Sequence, residues 1–372
     1  MPPFGSRVVN LRIPGPTPCP PDVLQAAAGQ MLNHRGPEFG AILRRVTDGL
    51  NWVFGTTRDV LSITTSGTGG LEAAVVNTLS PGDRVLAVSI GSFGDRFGNI
   101  AAAYGADVQW YKTEWGEAAD PAEIARRLDA DPAITAVLVT HNETSTGVTN
   151  PLQAIAAEVR KRDRLILVDG VSSVSSIPCP VEEWGLDVVV SGSQKGWMVP
   201  PGLAFVYLSD RAWAAYERSR MPKFYFDAKR HRDALERNQN PWTPALSVYF
   251  ALDKAFELMR AEGLDRIYAR HREVAAYTRE RVKAMGLKLV PVDERYASDT
   301  VTAVWWPEGV DGRALARRAR EEFGVVLGGG QGKLEGKIFR VGHMGWVRQE
   351  DVRDALDVVE RLLSEARAAA SA

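Results

Sequence analysis

Three short stretches carry residue types suited to one piece of chemistry. In SGSQKG, Ser191 to Gly196, Lys195 stands among small residues, with no charged residue between Asp187 before it and Asp210 after it. A lysine in such surroundings sheds its proton more readily than a solvated one, and its free amine attacks an aldehyde to form a Schiff base. In LILVDGVSS, Asp169 closes an apolar run 26 positions before Lys195. A carboxylate there caps the next helix, its common structural role, or holds a proton on a heteroaromatic nitrogen of a cofactor. In ITTSGTGGLEAAVVNTL, a Gly-rich turn leads into a helix expected to start near Gly70. Amides at a helix N-terminus, with glycine permitting close approach, make an anion site suited to phosphate. Glu72 occupies the sixth position of a would-be GxGxxG, and no GK[ST] follows, so neither a dinucleotide nor a Walker loop is written here. Taken singly, each stretch has a plain reading: a solvated lysine, a helix cap, a flexible turn.

Taken jointly, a phosphate turn, a strand-end aspartate and a lysine in a small-residue loop are the three fixtures of a pyridoxal phosphate site. The elements around them agree. Short β-branched runs (RVLAVS, DVQWY, AVLVT, LILVD, DVVVS and AFVYL) recur between Ser80 and Leu208. Helical stretches such as DPAEIARRLDA and PLQAIAAEVRKR lie between several of them, each with proline at or near its first turn. Runs apolar on both faces, alternating with helices, predict a mostly parallel α/β sheet with its polar groups at the carboxyl ends of the strands. TSGTGG, THNETSTG, VDGVSS and SGSQKG fall at those ends. After NPWTPALS the pattern changes to long helices and two strands, TVTAVWW and KIFRVGH, closed by QEDVRDALDVVERLLSEARAAA. This predicts an N-terminal arm over residues 1–20, a large domain over 21–262 and a smaller α+β domain over 263–372. The glycine-rich Gly328 to Lys337 reads as a loop before the strand that carries Arg340.

Composition narrows the partners. The 372 residues are 45% hydrophobic and 24% charged, with a formal net charge of -1, which offers no attraction to nucleic acid or an anionic membrane. Cys19 and Cys179 form no disulfide framework and lie in no CxxC cluster. His34, His141, His231, His271 and His343 show no metal-ligand spacing, so no metal site is expected. Neither a signal peptide nor a membrane span is apparent, and a cytoplasmic protein acting on small molecules is expected.

The chain resembles, over nearly its whole length, the class V aminotransferases of PLP fold type I, in particular the alanine/serine:glyoxylate (or pyruvate) group. PGPTPCPP, NHRGPEFGAILRR, SGTGGLEAAVVNTLSPGD, GSFGDR, THNETSTGV, LVDGVSS, SGSQKG, PPGLAFVYLS, TPALS and IFRVGHMG carry the likeness in order. The resemblance implies pyridoxal 5'-phosphate bound as a Schiff base on Lys195, with Asp169 paired to the pyridinium nitrogen. It implies Ser66, Gly67, Thr68 and Gln194 around the phosphate, Phe93 stacked on the ring and Thr144 near the ring hydroxyl. Arg340 then receives the substrate carboxylate, and Thr243 reaches the phosphate of a neighbouring subunit, which makes a homodimer with shared active sites. Arg340 also sits in the apolar run KIFRV, where an unpaired inward charge is costly. Relatives often carry tryptophan at Phe93, histidine at Thr68, and tyrosine where Asn240-Pro241-Trp242 stand.

The activity so implied moves the amino group of alanine or serine to a 2-oxo acid such as glyoxylate or pyruvate. Ureidoglycine and hydroxykynurenine transaminases share the scaffold. A desulfurase-like lyase needs a catalytic cysteine in a mobile loop, which neither Cys19 nor Cys179 suits, and a non-enzymatic binding role leaves the set of reactive residues without a purpose. No second arginine is placed by the sequence to read a dicarboxylate.

Overall fold

A computed structural model describes residues 9–371. Its main sheet has seven strands in the spatial order Leu61–Thr64, Leu203–Leu208, Val188–Gly192, Leu165–Asp169, Ile134–Thr140, Arg84–Ser89 and Asp107–Lys112. Leu203–Leu208 runs antiparallel to both its neighbours, and the remaining pairings are parallel. Val188–Gly192 and Leu203–Leu208 are buried at every position, because helices cover both faces of the sheet and leave no polar side to the alternation. The six strand runs read from the sequence all form, to within a few residues.

The helix after the glycine-rich turn spans Gly67–Thr78 and begins three residues before the expected start near Gly70. Ser66 explains the shift: its hydroxyl accepts from Gly69 N at 3.3 Å and caps the helix. The glycines then let the helix lie on the sheet. A Cβ on Gly70 would stand 2.7 Å from Val190 Cγ1 and 2.9 Å from Ala204 Cβ, so glycine here sets how closely the helix approaches. Pro121 opens the helix Pro121–Ala130 as expected, whereas Pro151 sits one place outside Leu152–Lys161, at its N-cap.

A second sheet takes the order Asn10–Arg12, Val325–Gly329, Ile338–Gly342, Val301–Trp305. Leu264–Ala284, Gly312–Phe323 and Gln349–Ser371 pack with it around a separate core that includes Val274, Val282, Leu315, Phe339, Val341 and Leu356. Leu246–Glu262 leads into this part and stops at Gly263, whose φ of 82° breaks the helix before Leu264. The glycine-rich stretch differs from the expected loop. Gly328 and Gly329 extend a strand and pair with Arg340 and Phe339, and Gly332–Leu334 is a 3-10 turn with Leu334 buried. Among the described residues no helix is long and apolar enough to cross a membrane.

The early chain ties the two sheets together. Asn10–Arg12 joins the second sheet beside Val325–Leu327, and five residues later Thr17 is bonded to the lysine loop of the first. Thr17 N donates to Gln194 O at 3.0 Å, and its hydroxyl donates to Lys195 O at 3.0 Å.

Candidate active site

Where parallel strands end, their helices begin, and polar groups gather without having to be buried in the sheet. Asp169 is the last residue of its strand and is 4% exposed. Its Oδ1 accepts from Val171 N at 3.0 Å, and among the described residues no other hydrogen bond reaches the carboxyl group. Burial pushes this carboxyl up to about 7, and the nearby Glu143 adds to the shift. Lys195 follows the next strand over. Its loop is held by Thr17 from one side, while Ser193 Oγ donates to Pro200 O at 2.8 Å and accepts from Leu203 N at 3.1 Å. Burial lowers the Lys195 amine to about 8, and Arg340 and Arg96 push the same way against Asp169. A substantial part of this amine is therefore neutral at slightly alkaline pH, the form that attacks a carbonyl carbon.

The other residues expected from the sequence come from helix starts, from the lysine loop and from the second sheet. Ser66, Gly67 and Thr68 form the first turn of their helix, where backbone N–H groups have no partner within the helix. Gln194 Oε1 is buried and makes no hydrogen bond among the described residues. An amide flip turns that orphaned position into a donor, which is what a phosphate oxygen requires. Phe93 lies in the first turn of Ser92–Ala103. Arg340 is 6% exposed, and its charge is held by backbone oxygens: Nε donates to Gly329 O at 2.8 Å and Nη1 to Thr144 O at 2.9 Å. Burial lowers its guanidinium to about 10. Of the five N–H donors on a guanidinium, these bonds use two, and among the described residues Nη2 keeps both of its own. Thr144 thus meets the site through its carbonyl, as the support of Arg340. Thr243 is exposed and makes no hydrogen bond to the phosphate turn of its own chain among the described residues.

Three participants escaped the sequence reading. Pro14 O accepts from Lys195 Nζ at 2.6 Å. Arg96 reaches Thr68 Oγ1 at 3.4 Å and lies 4.7 Å from the centre of the Phe93 ring. Glu143 is fully buried and accepts four hydrogen bonds, from Phe93 N, Gly94 N, Ser145 N and Ser145 Oγ. Arg96 and Glu143 lay in motifs already singled out, GSFGDR and THNETSTG, but their partners come from other segments.

The donor set fits a phosphorylated aldehyde with a basic ring nitrogen. A partly neutral amine faces a buried carboxyl, and an anion turn with an orphaned amide lies beside them. An open cavity of about 860 Å³ lined by Ser80, Arg164, Arg211 and Arg218 lies elsewhere, by the amino ends of strands Leu165–Asp169 and Arg84–Ser89.

The aminotransferase class-V profile matches residues 9–348. A protein of Synechococcus sp. named soluble hydrogenase, small subunit, is 43% identical over 95% of this chain and 93% of its own. L-aspartate–glyoxylate aminotransferase of Paracoccus denitrificans is 38% identical over 95% of this chain and 90% of its own. The crystal structure of alanine–glyoxylate aminotransferase from Nostoc sp. superposes with a TM-score of 0.93 at 34% identity, covering 98% of this chain and 97% of that one.

Proposed function

The chain belongs to the class-V aminotransferase family, and we propose that it holds pyridoxal 5'-phosphate at Lys195 and moves the amino group of alanine or serine to glyoxylate or pyruvate. The observation that carries this reading is the pair formed by Lys195 and Asp169, an amine lowered to about 8 beside a buried carboxyl raised to about 7. Ser66, Gly67, Thr68 and Gln194 hold the phosphate in this reading, Phe93 covers the ring and Thr144 lies by the ring hydroxyl. When bound, the cofactor supplies an electron sink for the carbanion that deprotonation of the substrate creates.

The protein supplies position and protons. Arg340 binds the substrate carboxylate through the N–H groups that Gly329 and Thr144 leave free, and so presents the α C–H bond. Lys195 Nζ takes the α proton and returns it on the far side of the transfer. Asp169 pairs with the ring nitrogen and keeps its proton in place.

Thr243 suits the role of reaching a partner's phosphate, which makes the protein a homodimer with shared sites. Support comes from its exposure beside the stacked Phe224 and Trp242, whose ring centres are 5.0 Å apart, with Phe224 63% exposed. Arg35 fastens this segment by donating to Asn240 O at 2.8 Å and Pro241 O at 3.2 Å. A desulfurase needs a reactive thiolate, and burial pushes Cys19 up to about 11 and Cys179 up to about 12. The hydrogenase name of one relative brings no matching ligand set: iron–sulfur clusters take four thiolates, and this sequence has two cysteines.

The visible spectrum of the purified protein tests the reading, taken before and after adding L-serine, then L-alanine, without any oxo acid. A yellow band that moves to shorter wavelength with either donor supports it. A band that neither donor moves rejects the donors and turns the search to larger amino compounds. Lys195→Ala abolishes turnover on this reading, and normal turnover in that variant overturns it.

A further inference from the structure

A phosphate ester carries a charge of about -1.5 to -2 at neutral pH, and the residues of the phosphate turn do not balance it. Ser66, Gly67, Thr68 and Gln194 are uncharged. A helix N-terminus contributes roughly half a positive charge. Lys195 and Arg340 are committed to the reacting end. Among the described residues a further basic side chain reaches the turn, and it stands on a neighbouring helix.

Arg96 follows Phe93 by three positions in Ser92–Ala103, the spacing that puts two side chains on one helix face. Its guanidinium lies over the Phe93 ring and donates to Thr68 Oγ1. Because the Thr68 hydroxyl accepts this bond, its own hydrogen is free to point at an anion, and the charged donor polarises it. Among the described residues Arg96 makes no ion pair, while Asp95 beside it is taken by Lys112 at 2.7 Å. The Arg96 charge is nonetheless felt at both Asp169 and Lys195, which places it at the mouth of the same site.

We propose that Arg96 is the charge partner of the cofactor phosphate, closing with its fork of donors a cup whose other members are neutral. This rests on the pyridoxal phosphate reading above. The Thr68 hydroxyl is uncharged, and Arg96 brings a charge to the same place from the helix that also carries Phe93. Plate and counter-charge then move as one unit.

The test compares two ligands on cofactor-free protein. Dissociation constants for pyridoxal 5'-phosphate and for pyridoxal, which has no phosphate, are measured by titrating the absorbance change in wild type, Arg96→Gln and Arg96→Lys. Losing a charged hydrogen-bond partner weakens the phosphorylated ligand by roughly 10- to 100-fold in Arg96→Gln and leaves pyridoxal unchanged, and Arg96→Lys recovers part of the loss. Equal weakening of both ligands means that Arg96 only shapes the site, and the proposal falls. An unchanged constant for the phosphorylated ligand overturns it as well. Failure of the underlying reading looks different, since wild type then binds neither aldehyde.

Discussion

Lys195 Nζ donates a 2.6 Å hydrogen bond to the carbonyl of Pro14, a residue 181 positions earlier in the chain. The amine that the chemistry turns on is thus parked against the segment that links the two sheets. Gly15 makes this possible. Its φ is +142°, and a Cβ there would stand 2.6 Å from Lys195 Nζ and 2.8 Å from Cδ and Cε.

Gly15→Ala therefore strikes the amine first. The lysine is flexible and yields, so the fold survives with a loss of about 1 kcal/mol from the backbone strain of an L residue at positive φ. Capture of added pyridoxal 5'-phosphate, followed as growth of the yellow band, slows by an order of magnitude or so, because the methyl group fills the resting place of the amine. A capture rate equal to wild type means that the Pro14 contact is idle.

Asp169 sets a pH signature in the cofactor-free protein. Its folded pKa, about 7, lies above the unfolded value near 4. Between those values the folded state binds more protons than the unfolded one, so stability falls as pH rises from 4 to 7 and stays low above it. Asp169→Asn removes this penalty and raises stability at pH 8 by up to roughly 4 kcal/mol, while abolishing most turnover. Melting temperatures of the two cofactor-free proteins at pH 5 and pH 8 check it: the gap between them widens at pH 8. A gap independent of pH contradicts a buried, titrating carboxyl.

How far the site was legible depends on how far apart in the chain its partners lie. Asp169 and Lys195 were readable because one ends and the other closely follows a strand run whose apolar pattern is local, and the Gly-rich turn announced its helix, although the start was set three residues late. Pro14, Arg96 and Glu143 act through contacts that span many residues, and nothing in their own neighbourhood marks the partner. The strand Asn10–Arg12 has three residues and no alternation to read. Gly328 and Gly329 looked like loop because glycine weakens a strand. At Gly328 that lack of a side chain is what the packing needs, since a Cβ there would stand 2.8 Å from Pro14 Cδ.

Arg340 joins binding to structure, and two substitutions separate them. Arg340→Ala removes the fork for the substrate carboxylate and leaves Gly329 O and Thr144 O without their donor. KM for the amino donor rises roughly 10- to 100-fold, the worth of a charge-assisted bond. Arg340→Lys keeps the charge and loses the fork, so it recovers thermal stability more than it recovers KM. Equal recovery of both places Arg340 outside substrate binding.

Glu143 reaches the chemistry through Phe93. Its Oε2 accepts from Phe93 N and Gly94 N, each at 3.0 Å, and its Oε1 accepts from both donors of Ser145. Gly91 leaves room for the carboxyl at the helix end, since a Cβ there would stand 2.6 Å from Glu143 Cδ. Burial pushes this carboxyl upward, the four donors and the helix N-terminus pull it down, and a group surrounded only by donors needs two acceptor oxygens. Glu143→Gln turns one oxygen into an NH₂ that faces N–H groups, which costs on the order of 2 kcal/mol. It also removes a negative charge that helps to hold Asp169 up, so Asp169 titrates lower than about 7. The combined expectation is a protein that melts earlier, in which the stability lost as pH rises from 4 is lost over a narrower range ending below 7. A lower melting temperature with an unmoved pH dependence limits Glu143 to anchoring the helix that carries Phe93.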